Sequence, residues 1–313
     1  MNAAATNWAV AATVRAPEAH VNLFLSHYLS LGAERIFIYF DDPLEQGFDH
    51  ALGVGRVAPC TCDSQYWRER RIARPDHLNG RQAINVAHAA RLNTSEWLLH
   101  IDCDELVVST RSIDEILAKH HDDRIFSLRL EPLEAVYTTA PTVPFSTTYF
   151  RRALPPNPDS EALLAQIYGD LAPLCHFGLF GHRAGKSFVR MGRAVESWNC
   201  HGAVPLDKQL TAGVKEPRIE LLHFDAMEFK YWREKFLRRI SGEISITGIS
   251  KVRQDQTRKI KETADSEGES GLFRLYNRMH VMPVDRLKLA IASGLVVERL
   301  WDRTLISPGA PER

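Results

Sequence analysis

The 313-residue chain has no apolar run of the roughly 20 residues that a membrane-spanning helix needs. Its opening stretch, MNAAATNWAVAATVRAPEAH, lacks a basic segment followed by a long apolar one, so no secretory leader is expected. Excess charge is missing too, with 39 Lys and Arg against 39 Asp and Glu. Bulk nucleic-acid binding relies on a basic surplus that displaces counterions, so no nucleic-acid partner is expected. Cysteine is sparse and odd in number: Cys60, Cys62, Cys103, Cys175 and Cys200. That excludes a paired disulfide framework, and Cys60-Thr61-Cys62 has no second pair to complete a zinc site. Internal repeats and low-complexity tracts are absent. So is the Gly-x-Ser-x-Gly elbow, which sets aside α/β-hydrolase chemistry. The expectation is a soluble, cytoplasmic protein.

Apolar residues make up 44% of the chain, enough for a large α/β core. Residues 8–14 read as a buried strand and 16–31 as a helix, with Pro17 in its first turn and Gly32 after its end. Strands follow at 35–40 and 55–59, a helix at 79–92, and a strand at 97–101. A short helix at 112–119 opens with a capping box, Ser112 and Glu115, and 125–130 is another strand. The proline-rich stretch 141–159 reads as a long loop, 187–191 and 219–224 as later strands. From Ala226 the pattern turns helical, with Phe229, Trp232, Phe236 and Ile240 on one face, and a last helix covers 284–292. Alternation of strands and helices predicts a layered α/β fold with a mainly parallel sheet flanked by helices. Residues 1–225 would form a catalytic domain and 226–313 a helical extension packed on it.

In such sheets ligands collect at the carboxyl ends of the strands. The apolar run WLLHI leads there into Asp102-Cys103-Asp104-Glu105. Side chains two apart on a strand point the same way, so Asp102 and Asp104 present two carboxylates to one point. With phosphate oxygens these would hold Mg²⁺ or Mn²⁺; a solvated acidic turn is the bland alternative. Asp41-Asp42-Pro43 ends the second strand, where a carboxylate accepts hydrogen bonds from a base or ribose, or simply starts a turn. Among the arginines from Arg68 to Arg81, only Arg81, at a helix start, is read as a phosphate ligand; the rest suit a solvated face. Two phosphate-loop look-alikes are rejected. Gly53-Val54-Gly55 precedes a strand, and Gly181–Ser187 is one residue short between its glycines and runs into the strand-like FVRM. His201 and His223 stand out among the histidines; each alone is more often structural, yet a histidine at a strand end can complete an oxygen-rich metal site.

The order of motifs resembles the bacterial glycosyltransferase family 2-like group, related to the family 92 transferases. The residues that carry the likeness are HYLSLGAERIFIYFDDP, RQAINVAHAA, EWLLHIDCDELV, GHRAGKSFVR and LLHFDAMEFKYWREKFLRR, spread over roughly residues 8–240. The resemblance implies a GT-A (Rossmann-like) fold and inverting transfer of a sugar from a nucleotide-diphosphate sugar, UDP- or GDP-linked, to a glycan, lipid or other hydroxyl acceptor. It implies that Asp102 and Asp104 hold the divalent metal, Mn²⁺ or Mg²⁺, that Asp42 contacts the nucleotide, and that Lys186 lies near the donor phosphates. His223 would be a further metal or phosphate ligand. Where many relatives carry Arg-Asn-Glu, the loop after the first strand here reads Thr13-Val14-Arg15-Ala16-Pro17-Glu18.

Inverting transfer needs a carboxylate that removes the acceptor proton. Glu134, after a predicted strand, is the first choice, with Glu131, Glu196 and Asp225 as alternatives. Competing readings are a nucleotidyltransferase acting on sugar phosphates, disfavoured by a first loop without the usual glycine-rich, lysine-containing sequence, and a non-catalytic sugar-binding relative. Lys230, Arg233, Lys235, Arg238 and Arg239 flank the aromatics of the helix after Ala226. They suit a solvated basic face or, as the second option, peripheral contact with the inner face of a membrane.

Overall fold

The computed structural model describes residues 6–42, 44, 47–242 and 250–301. Pro43 of the acidic turn and residues 302–313 of the expected extension lie outside the described residues.

The chain forms two compact units. Among the described residues, the first comprises 6–131 and 184–221 and the second 132–183 and 222–301. The sequence places one boundary at 225; the units divide at 131/132, 183/184 and 221/222. The reason is packing: Val136, Leu164, Ile167 and Leu171 share a core with Trp232, Phe236, Tyr276 and Met279, which draws 132–183 to the later helices.

In chain order the first unit contributes β1 (Trp8–Val14), α1 (Glu18–Ser30), β2 (Arg35–Phe40), β3 (Val57–Thr61), α2 (Ser64–Glu69), α3 (Leu78–Leu92), β4 (Trp97–His100), β5 (Glu105–Ser109), α4 (Ile113–Leu117) and β6 (Ser127–Leu130). The chain passes through β7 (Pro132–Val136), β8 (Tyr149–Arg151) and α5 (Pro158–Tyr168). It returns with β9 (Lys186–Arg190), β10 (Val195–Asn199), β11 (Gly202–Pro205) and β12 (Val214–Lys215). After β13 (Ile219–His223) come α6 (Phe229–Ile240), α7 (Lys251–His280), α8 (Val284–Ala292) and β14 (Val296–Glu298).

Seven strands of the first unit make one sheet in the order β12-β6-β9-β4-β1-β2-β3. β1 lies between β4 and β2, parallel to both, and β3 continues the parallel set. All seven residues of β1 are buried, as expected of a strand covered on both faces. β3 closes the edge, where Pro59, unable to donate to a ladder, is tolerated. β9 runs antiparallel to both β4 and β6, so the sheet is mixed. Within this α/β unit the carboxyl ends of β1 to β4 share one edge.

Local differences from the sequence reading have local causes. Gly53 and Gly55 take positive φ (57° and 79°) in a turn, which delays the third strand to Val57. Ser112 starts α4 without a side-chain cap bond. The stretch expected as a loop, 141–159, contains β8, which pairs antiparallel with β7 and β14 in the second unit. Among the described residues, no helix is long and apolar enough to cross a membrane.

Candidate functional site

From β1 the chain moves outward one way to β2 and β3 and the other way to β4. Strand order therefore reverses between β1 and β4, the place where open α/β sheets bind ligands. The acidic loop 102–105 emerges there, directly after β4.

The loop is closed on itself. The Glu105 N–H donates to the Asp102 carbonyl (3.1 Å), and the Asp102 N–H donates to Glu105 Oε2 (3.0 Å). Tyr28 of α1 anchors its far side, donating to the Glu105 carbonyl and accepting from the Val107 N–H. Asp102 is the exposed member, with 30% of its side chain accessible, whereas Glu105 is fully buried. One Asp102 oxygen accepts from Gln82 Nε2 (2.7 Å) in the first turns of α3, the other from Lys186 Nζ (2.7 Å) at the start of β9. Asp104 is 8% exposed, and its charge reaches His20 of α1, whose pKa burial lowers and Asp104 partly restores.

Lys186 is buried between Asp102 and Glu105 (3.4 Å) and donates to the Cys200 carbonyl (2.9 Å). Burial works against its charge, but the two carboxylates outweigh that penalty and hold its pKa above the ordinary lysine value. The Cys200 carbonyl comes from the tip of the β10–β11 hairpin. Asn199 at that tip accepts from His100 Nδ1 (3.3 Å), and His201 Nδ1 bonds the Gly185 carbonyl (2.9 Å). His201 thus buttresses the hairpin.

A second group lies at the ends of β1 to β3, where a cleft of about 600 Å³ is lined by Arg15, Asp42, Asp63, Trp67, Arg68 and Arg74 among others. Asp42 faces it, 3.3 Å from Arg15, and accepts from the Leu44 N–H. Asp41 is buried and gripped by the fork of Arg81, Nε to Oδ1 at 2.8 Å and Nη2 to Oδ2 at 2.9 Å. Arg81 Nη1 donates to the Pro75 and Asp76 carbonyls. Arg81, expected to meet phosphate, spends these donors on the protein itself and positions the turn that carries Asp42. Beneath the cleft, Asn85 links the Thr13 hydroxyl and the Tyr66 hydroxyl.

Glu134, the expected base, belongs to the second unit. It is 2% exposed, ion-paired with the fully buried Arg151, and accepts from the N–H groups of Phe180 (3.3 Å) and Gly181 (2.5 Å). Arg151 also donates to the Met279 carbonyl and the Tyr168 hydroxyl. Both Glu134 oxygens are engaged inside a structural network, so the base role is not carried forward. Glu131 and Glu196 are exposed and paired with Lys215 and Lys208. His223 ends β13 within the second unit, its Nε2 3.9 Å from Asp225 Oδ1 and its ring 5.9 Å from that of His182. Burial pushes the Asp225 pKa up, but Lys235 (2.5 Å), His223 and Arg253 outweigh it and hold the carboxyl well below the usual range.

The loop donor set fits a hard divalent cation. The loop carries three carboxylates, two of which, Asp102 and Glu105, face the single Lys186 ammonium, which leaves an excess of two negative charges carried by oxygen ligands. Sequence reasoning missed the Cys200 carbonyl, for which no side-chain signal exists, and the role of Gln82, a polar residue among many. Comparison of the chain with protein-family models and with curated proteins finds no match.

Proposed function

We propose that this protein is a metal-dependent glycosyltransferase of GT-A type that takes its sugar from a nucleoside-diphosphate donor, with inversion. What supports the reading above all is the acidic loop at the switch point of the first unit's sheet, with a nucleotide-sized cleft on the same edge. Asp42 and Arg15 offer an acceptor and a donor to the base and ribose, and Trp67 adds an apolar wall. Asp104 is the loop carboxylate assigned to the cation, because Asp102 already balances Lys186. Bound there, Mn²⁺ or Mg²⁺ would neutralise charge on the departing diphosphate. Asp102, fixed by Gln82 and Lys186, keeps the loop in place without reorganisation. Arg81 holds Asp41 so that Asp42 faces the cleft. No proton acceptor is assigned among the carboxylates weighed.

The test is thermal shift with Mn²⁺ and a panel of nucleotides, combined with nucleotide release from sugar donors. Stabilisation by UDP or GDP that requires Mn²⁺ and is lost in Asp104→Ala is the expected result. His223→Ala tests the histidine that the resemblance adds to the ligands: a lost Mn²⁺ response supports that role, an intact one removes it. Diphosphate release from a nucleoside triphosphate would instead mark a nucleotidyltransferase. Indifference to every nucleotide would mark a non-catalytic protein.

A further inference from the structure

The buried ammonium of Lys186 sits in a ring of three oxygens: Asp102 Oδ2 at 2.7 Å, the Cys200 carbonyl at 2.9 Å and Glu105 Oε2 at 3.4 Å. A lysine ammonium has three protons and no acceptor; here it donates to Asp102 and to the Cys200 carbonyl and pairs by charge with Glu105. The ring is built from three separate parts of the first unit: the end of β4, the start of β5 and the tip of the β10–β11 hairpin. Two carboxylates and a carbonyl are also the donor types that bind Ca²⁺ or Mn²⁺, at about 2.3–2.6 Å for calcium; the Asp102 and Cys200 oxygens lie a few tenths of an ångström beyond that, and Glu105 would have to move in by about 1 Å. The resemblance places Lys186 at the donor phosphates. Its Nζ is instead turned into the loop and satisfied there.

We propose that Lys186 is a resident cation: its ammonium fills a seat that a divalent ion would otherwise take, and so restricts the acidic loop to a single exchangeable metal ion. Without it, Asp102 and Glu105 would form a second cation site beside Asp104, with the Cys200 carbonyl and water completing the shell. Two ions at adjoining positions would divide the loop carboxylates between them. One fixed ammonium leaves Asp102 oriented and Asp104 as the ligand for the exchangeable ion. The assignment of Asp104 rests on the metal-dependent reading above, whereas the seat itself is a property of the loop and β9.

The experiment counts bound Mn²⁺ per chain by electron paramagnetic resonance during titration of wild type, Lys186→Ala and Lys186→Arg. Lys186→Ala is expected to bind one Mn²⁺ more than wild type, and Lys186→Arg, which keeps a cation in the seat, the same number as wild type. Equal counts for wild type and Lys186→Ala overturn the proposal. Should Lys186→Ala not fold alone, its refolding yield with and without Mn²⁺ is the second readout. Recovery that depends on the ion supports the seat, and a yield indifferent to Mn²⁺ overturns it. Failure of the metal-dependent reading looks different: wild type would then bind no Mn²⁺, while the gain of one ion in Lys186→Ala would still stand.

Discussion

At the scale of single residues, this protein places its buried charges in forks and rings that satisfy most of their hydrogen-bonding capacity. Arg81 gives Asp41 a planar two-point grip that a lysine cannot copy. Arg81→Lys is therefore expected to cost about 2 kcal/mol, the scale of a lost charge-assisted bond. Urea unfolding measures it, and an unchanged midpoint would show that the fork carries no stability. Glu134 illustrates the opposite error of reading chemistry into packing. Removing its charge leaves Arg151, which is fully buried, without its anion. Glu134→Gln should then destabilise by about 3–5 kcal/mol, as breaking a buried pair does, while turnover per folded molecule is retained. Loss of turnover at full stability would return Glu134 to the chemistry.

At the scale of elements, α7 is two helices joined at Gly268, whose φ of 62° and ψ of −153° belong to a region essentially restricted to glycine. A Cβ there would meet no atom within 4 Å, so the cost of substitution is conformational rather than steric. Gly268→Ala is expected to lose about 1–3 kcal/mol, read from thermal or urea unfolding; a neutral or stabilising effect would mean the bend straightens. The parallel strands were readable because β1, β2 and β4 are continuous apolar runs, a pattern that burial on both faces imposes. β8, three residues inside a proline-rich stretch, was not, since its strand character comes from pairing with β7 and β14.

At the scale of the whole molecule, one buried histidine and one half-buried one set an acid limit. Burial and then the Lys186 charge pull the His100 pKa down to about 3, from 6.5 in the unfolded chain. His88 is drawn to about 4 by burial and by Arg70 and Arg91. Between these values and 6.5 the unfolded chain binds protons that the folded one refuses, so stability falls as pH falls through that window. His100 contributes at most about 1.4 kcal/mol per pH unit, and the half-buried His88 less, because solvent screens it. Unfolding midpoints taken between about pH 7 and pH 5 should drop in wild type and drop less steeply in His100→Gln. Parallel slopes in the two proteins would remove His100 from the account.

The succession of the first strands, helices α1 and α3 between them and the acidic loop after β4 follow from neighbours in the chain, because periodicity, turn chemistry and apolar runs are local properties; α2, only six residues long, was not readable. Asp102, Asp104 and Asp42 could be picked out for the same reason: each directly follows a readable strand. The partners of those residues could not. Lys186 lies 84 residues from Asp102, and Arg81 lies 40 from Asp41. Whether a charge meets a ligand or a counter-ion depends on which distant segment shares its low-dielectric surroundings, and only the folded chain decides that. Glu134 marks the limit most plainly, since its position at a strand end suggested chemistry and its buried partner Arg151 gave it a structural task.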